Sequence, residues 1–135
     1  MVCIYCGGKT SVVNSRHQKR ANQVWRRRQC DNCKSIVTTV EGLDFAASIS
    51  LKTPSGALRP FQRDILFISV YESLRHRKTA VSDAEALTAT LLRSLPAYFD
   101  SSQAVARNTL VEAVARTLRR FDHAASVQYL AFHPL

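Results

Sequence analysis

Long hydrophobic runs are missing from this 135-residue chain. No stretch approaches the ~20 apolar residues that a membrane-spanning helix needs, so no membrane association is expected. The N-terminus has no basic head leading into an apolar stretch, and no secretory leader is expected either. Cysteine is absent after position 33. A secreted disulfide scaffold would spread its cysteines along the chain, so their confinement here points to a reducing, cytoplasmic setting. Groupings that could carry catalysis are lacking as well. His17, His76, His123 and His133 are scattered without an evident metal or triad partner, and no acidic pair stands at a useful spacing. The sequence does not read as an enzyme.

Carboxylates are the last scarcity, and it is local. The chain holds 19 Lys and Arg against 10 Asp and Glu. None of those acids lies between Lys9 and Arg28, while Arg16, Lys19, Arg20, Arg26, Arg27 and Arg28 do. Beyond residue 41 the charges are nearly balanced. The excess therefore belongs to the first third and points to a polyanionic partner met there.

The same third carries all the cysteine, as Cys3-x2-Cys6 and Cys30-x2-Cys33. Two residues between cysteines let one tight turn aim both sulfurs at a single ion, and two such pairs give the four-thiolate set of a structural zinc site. Gly7 and Gly8 supply backbone freedom after the first pair, and Asp31 and Asn32 form the second turn. Four soft protein ligands suit Zn2+ and leave it no open position for catalysis. A thioredoxin-type redox pair would sit at a strand end within a βαβ unit, and no such pattern surrounds these cysteines.

Between and after the pairs, "SVVNSR", "QVWRRRQC" and "SIVTTVE" read as short strands, which makes a zinc ribbon of antiparallel sheet. About 40 residues bury too little apolar surface to fold alone, so the metal should hold the ribbon together. Strand alternation puts Arg26 and Arg28 on one face and Trp25 and Arg27 on the other. Guanidinium groups on a stiff ribbon suit phosphates and guanine edges. Trp25 can pack on the ribbon, stack on a base or support the arginines, and packing is the expected role. A solvated charged face is the alternative for the whole cluster.

From residue 46 the period changes. "ASISLKTPSGALRPF" reads as a hairpin turning at Pro-Ser-Gly. Ile65, Phe67, Ile68, Val70, Tyr71 and Leu74 fit one broad face of a helix over 61–77. Ser82 with Glu85 reads as a capping box opening a second helix, with Leu87, Leu91, Leu92 and Leu95 on one side and Pro96 at its end. A helix after "DSSQ" carrying Leu110, Val111, Val114, Leu118 and Phe121, and a last one over "ASVQYLAF", complete the chain. The fold class is α+β: a zinc ribbon over 1–45 and a mostly helical domain with an N-terminal β-hairpin over 46–135.

The motifs "CIYC", Ser15–Arg16, "VWRRRQC", "TTVE" at Thr38–Glu41, "LKTPSGALRPF" and "RKTAVS" resemble those of the NrdR family, bacterial transcriptional repressors of ribonucleotide reductase genes. The resemblance runs through nearly the whole chain. It implies a DNA-binding ribbon followed by an ATP-cone that senses adenine nucleotides, ATP or dATP, and forms homo-oligomers that set the reach toward double-stranded operator DNA. By position it implies Cys3, Cys6, Cys30 and Cys33 as zinc ligands. Arg16, Arg26, Arg27 and Arg28 are implied as DNA contacts, although the family often has Arg or Lys near where Trp25 stands. Lys52 matches a hairpin lysine that faces nucleotide phosphates, and Phe61 matches the aromatic that begins the first helix. Where the family usually has glutamate before Pro-Phe this chain has Arg59, and where it usually has a phosphate-binding lysine this chain has Ile65. Arg59 or Arg63 is expected to supply the missing cation. Two other readings stand beside this one: a ribbon whose cone serves only oligomerisation, and an RNA-binding ribbon.

Overall fold

The β-branched stretches of the first third form three strands, β1 (Thr10–Gln18), β2 (Gln23–Cys30) and β3 (Ile36–Glu41), in one antiparallel sheet of order β1-β2-β3. The computed structural model describes residues 1–134. It divides into two compact units, Met1–Leu43 and the remainder from Asp44. In the first unit β2 is central and takes hydrogen bonds from both neighbours. A bulge between Val12 and Asn14 sets Asn14 opposite Arg27, with Arg16 opposite Trp25. On the other side Trp25 faces Val40, Arg27 faces Thr38, and Arg26 faces Thr39. Only Cys3, Thr10 and Cys30 are buried in this unit, so the sheet has no apolar core of its own.

The second unit begins with a short helix, α1 (Phe45–Ser48), capped by the Asp44 side chain, which accepts from the Ala47 N–H. The hairpin follows as β4 (Ser50–Lys52) and β5 (Leu58–Pro60), turning through Gly56 at φ +85°. Then come α2 (Arg63–Leu74), α3 (Ala80–Ser94), a 3-10 turn at Leu95–Tyr98, β6 (Ala104–Ala106), α4 (Arg107–Phe121) and α5 (His123–Phe132). β6 pairs parallel with β4, so β4 is the middle of a β5-β4-β6 sheet. Three residues, Ala-Val-Ala, are too few for alternation to announce that strand in the sequence. Leu66, Val70 and Leu74 of α2, Leu91 of α3, Val111, Val114 and Leu118 of α4, and Tyr129 of α5 close over Ile49, Phe61 and Val105 in one apolar cluster.

Two expectations need correction. The buried face of α2 runs through Leu66, Val70, Ser73 and Leu74, a clean i, i+4, i+7, i+8 stripe. Ile65 and Ile68 instead lie on the solvent side, Ile65 at 61% exposure. The helix is apolar on nearly every face, and such a sequence cannot say which stripe the core takes. The capping box at Ser82 also fails. The helix starts at Ala80, with Ser82 already in its first turn and its hydroxyl donating back to the Thr79 carbonyl at 3.0 Å.

The α2–α3 corner is held by a charge network invisible to local sequence reading. Arg77 donates from Nε to Asp83 at 2.8 Å and from Nη1 to Asp122 at 3.2 Å, and its guanidinium lies 4.7 Å from the Phe121 ring centre. His76 Nε2 lies 2.9 Å from Asp122 Oδ2, while Asp122 Oδ1 accepts from the Ala125 N–H and caps α5. His76 first, then the Ala125 N–H, pull the Asp122 carboxyl from 3.8 down to about 2. Folding depresses this group, so its contribution to stability is complete above its unfolded value near 3.8 and is lost as pH falls through about 2. Asp122→Asn keeps an efficient cap but removes the charge. It should cost about 1 kcal/mol at neutral pH, the excess of a charge-assisted bond over a neutral one. Thermal unfolding followed from pH 7 downward should show that gap closing between about pH 4 and pH 2.

Candidate metal centre and nucleic-acid interface

Both cysteine turns have one geometry. After Cys3, Gly7 takes φ +71° and donates to the Cys3 carbonyl, while the Cys3 N–H donates to the Gly8 carbonyl at 2.7 Å. After Cys30, Lys34 takes φ +60° and donates to the Cys30 carbonyl, while the Cys30 N–H donates to the Ser35 carbonyl at 2.9 Å. The fourth residue past each leading cysteine is left-handed in both. Lysine tolerates this with its ammonium donating to the Asp31 carbonyl at 2.7 Å. Gly8 lies against the other turn: a Cβ there would come within 2.7 Å of the Asn32 amide nitrogen, so a larger residue would displace the Asn32 side chain where the two turns meet.

The closure gathers all four Sγ atoms within 4.8 Å of one another. Cys3 and Cys33 are 3.7 Å apart, and Cys6 and Cys30 are 3.5 Å apart. Zn–S bonds of about 2.3 Å in a tetrahedron place sulfurs ~3.8 Å apart, so the set fits zinc. As free thiols the four conflict. The Gly8 N–H draws Cys6 downward, but the Cys30 and Cys33 thiols outweigh it and push Cys6 up to about 11. Ser35, through its hydroxyl and then its backbone N–H, holds Cys33 down to about 6. A dication at the centre removes the conflict by stabilising all four thiolates.

The arginines predicted as one group do not share one surface. Arg26 turns toward Glu41, donating from Nε and Nη2 at 2.9 and 2.8 Å, and also reaches Ser15 Oγ at 3.2 Å. Arg28, on the same face, is half-buried and donates to Thr39 Oγ1 at 3.3 Å. These two are engaged with their own sheet. Arg16 and Arg27 are exposed on the opposite face, and among the described residues neither makes a side-chain hydrogen bond or ion pair. They line a shallow concavity of ≈ 410 Å³ with Asn14, Trp25, Ile36 and Thr38. Trp25 is not packed into the ribbon as expected: it is 44% exposed. With so small a sheet there is no second layer for its ring to enter. Alternation alone could have placed Trp25 with Arg27; the parts played by Asn14, Ile36 and Thr38 needed the register.

In the second unit the residues matched to nucleotide binding are dispersed. Phe61 is 2% exposed; its ring packs against Phe45 and its N–H donates to the Ile49 carbonyl, so its part is in the core. Lys52 stands across from Leu58, and Arg59 across from Leu51. Directly opposed residues share a face and successive ones alternate, so Lys52 and Arg59 belong to opposite faces of the hairpin. Arg63 pairs with neighbouring Asp64 at 3.3 Å. No described helix is long and apolar enough to cross a membrane.

Comparison with known proteins bears on both units. Residues 1–41 match a family model described as the N-terminal domain of NrdR-like transcriptional repressors. The transcriptional repressor NrdR of Phenylobacterium zucineum is 31% identical over 134 residues, covering 98% of this chain and 84% of the relative. That of Xanthobacter autotrophicus is 33% identical, with 98% and 72% covered. That of Symbiobacterium thermophilum is 30% identical, with 98% and 87% covered.

Proposed function

The chain belongs to the NrdR family of transcriptional repressors, and from that premise we propose that it is a zinc-dependent repressor whose ribbon binds operator DNA of ribonucleotide reductase genes under the control of an adenine nucleotide. The observation that carries the DNA-binding part is the face bearing Arg16 and Arg27. Its guanidinium groups are exposed and uncompensated, on a sheet stiffened at one end by four thiolates around one centre. Guanidinium forks can reach phosphates from the rim of a groove and guanine O6 and N7 within it. Zinc acts here only as a clamp, since all four positions around it are taken by cysteine.

In this proposal the unit from Asp44 onward is the ATP-cone, with Lys52, Arg59 and Arg63 as the cations available to phosphates, and it assembles copies of the chain. A nucleotide controls such an assembly only if it binds one oligomer better than another, so ATP and dATP must differ in the assembly they favour. A symmetric oligomer would present paired ribbons, and repeated or palindromic operator half-sites follow. A second reading has its own support: Lys52 and Arg59 on opposite faces, and Ile65 exposed where the family usually has lysine, favour a cone that only oligomerises.

Calorimetry with ATP and dATP, with the mass in solution followed in parallel, separates the two. The sensor reading expects saturable binding and a different oligomer for each nucleotide. Heat-silent titrations with an unchanged mass would leave only the oligomerising cone.

A further inference from the structure

We infer that Trp25 contacts base edges of duplex DNA directly and gives the ribbon a component of affinity and selectivity that does not depend on charge. The inference rests on the proposed DNA-binding reading of the same face. It starts from three apolar side chains that this face shows to solvent and that nothing in the ribbon covers: Trp25 at 44%, Ile36 at 47% and Val40 at 54% exposure. Trp25 lies directly between Arg16 on one neighbouring strand and Val40 on the other. A tryptophan ring has a large apolar area that folding ordinarily removes from water. A face kept only for solubility would carry polar residues at these positions.

The surroundings identify the occupant. Arg16 and Arg27 stand beside the ring uncompensated, and the unit's two carboxylates are elsewhere. Glu41 is drawn to the opposite face by Arg26, and Asp31 sits in the second cysteine turn, where Ser11 donates to it. A second copy of this face would be repelled, since like charges brought together on docking cost several kcal/mol. A polyanion that also exposes apolar surface satisfies both halves of the face. The major groove of duplex DNA does so, with phosphates at its rim and thymine methyls among the base edges within. Asn14 and Thr38, opposite Arg27 on the two neighbouring strands, add an amide and a hydroxyl to the same concavity. Because Trp25 is on the central strand, bonded on both sides, its backbone loses little freedom on binding.

Trp25 is the only tryptophan of the chain, so its emission reports this position alone. The test titrates the full zinc-loaded protein with a labelled duplex that the protein has enriched from a randomised library, reading tryptophan emission and duplex anisotropy together. Quenching should track the anisotropy to saturation. Trp25→Ala should lose affinity about tenfold with the salt dependence unchanged, because no counterion is released by an apolar contact. Trp25→Phe should recover part of that loss. Duplex that binds while the emission stays unmoved would overturn the inference even if Trp25→Ala failed to fold, and so would a zinc-loaded Trp25→Ala that binds like the parent. If no duplex is enriched or bound at any salt concentration, the repressor reading itself fails, and this inference with it.

Discussion

Chelating the zinc, or replacing Cys30 with serine, unfolds residues 10–41 and abolishes DNA binding while the helices from Asp44 onward stay folded. The expectation follows from what is buried. In the first unit only Cys3, Thr10 and Cys30 are removed from water, and two of those three are metal ligands. Val12, Val13, Trp25, Ile36 and Val40 are all exposed, so hydrophobic burial cannot offset the entropy of ordering three strands. Apparent zinc binding energies of ~10–16 kcal/mol, as in zinc-finger peptides, are large enough to do so. The second unit has its own core of Phe61, Val70, Leu74, Val114 and Leu118 and needs no metal. Amide exchange would show protection vanishing in β1 to β3 and persisting in α2 to α5. Protection of the strands that survives a demonstrated loss of zinc would refute the clamp.

Removing Arg16 and Arg27 together should weaken duplex binding by more than about tenfold and leave the fold intact, since charge-assisted phosphate or guanine contacts are each worth ~1–3 kcal/mol. Removing Arg26 and Arg28 should have the opposite balance. Arg26 spends its donors on Glu41 and Ser15, and Arg28 donates to Thr39. Their loss removes a largely exposed ion pair and two side-chain bonds, a stability cost on the order of 1 kcal/mol with little change in DNA affinity. Arg-to-Ala substitution in these two pairs thus distinguishes the two faces of one sheet.

How much of this the chain disclosed before folding varies with the range of the interaction. The metal site was legible because C-x2-C spacing is itself geometry: the turn that fits between two cysteines is the turn that aims them. The three strands were legible from β-branched residues between polar turns. The arginines were legible as charge but not as a surface, because which guanidinium is free depends on Glu41, Ser15 and Thr39 across the sheet. The packing expected of Trp25 failed because it assumes a second layer, which a clamped ribbon lacks. In the helical unit, α4 was plain, with Val111, Val114 and Leu118 on one stripe. By contrast α2 is apolar almost all round, and its true inner face emerged only against α3 and α5. The parallel strand at Ala104–Ala106 and the His76–Asp122–Arg77 network join residues 45 or more positions apart in the chain, beyond any local pattern.

The central claim is that one face of a zinc-clamped ribbon, the one with Arg16 and Arg27, is what meets DNA. Measuring duplex affinity against salt concentration for the zinc-loaded parent, the Arg16/Arg27 pair variant and the Arg26/Arg28 pair variant tests it most directly. Each phosphate contact contributes about 0.9 to the slope of log affinity against log salt, so loss of the first pair should flatten that slope by about 2. Loss of the second pair should leave it as in the parent. A slope unchanged without Arg16 and Arg27, or flattened instead by loss of Arg26 and Arg28, would contradict the account.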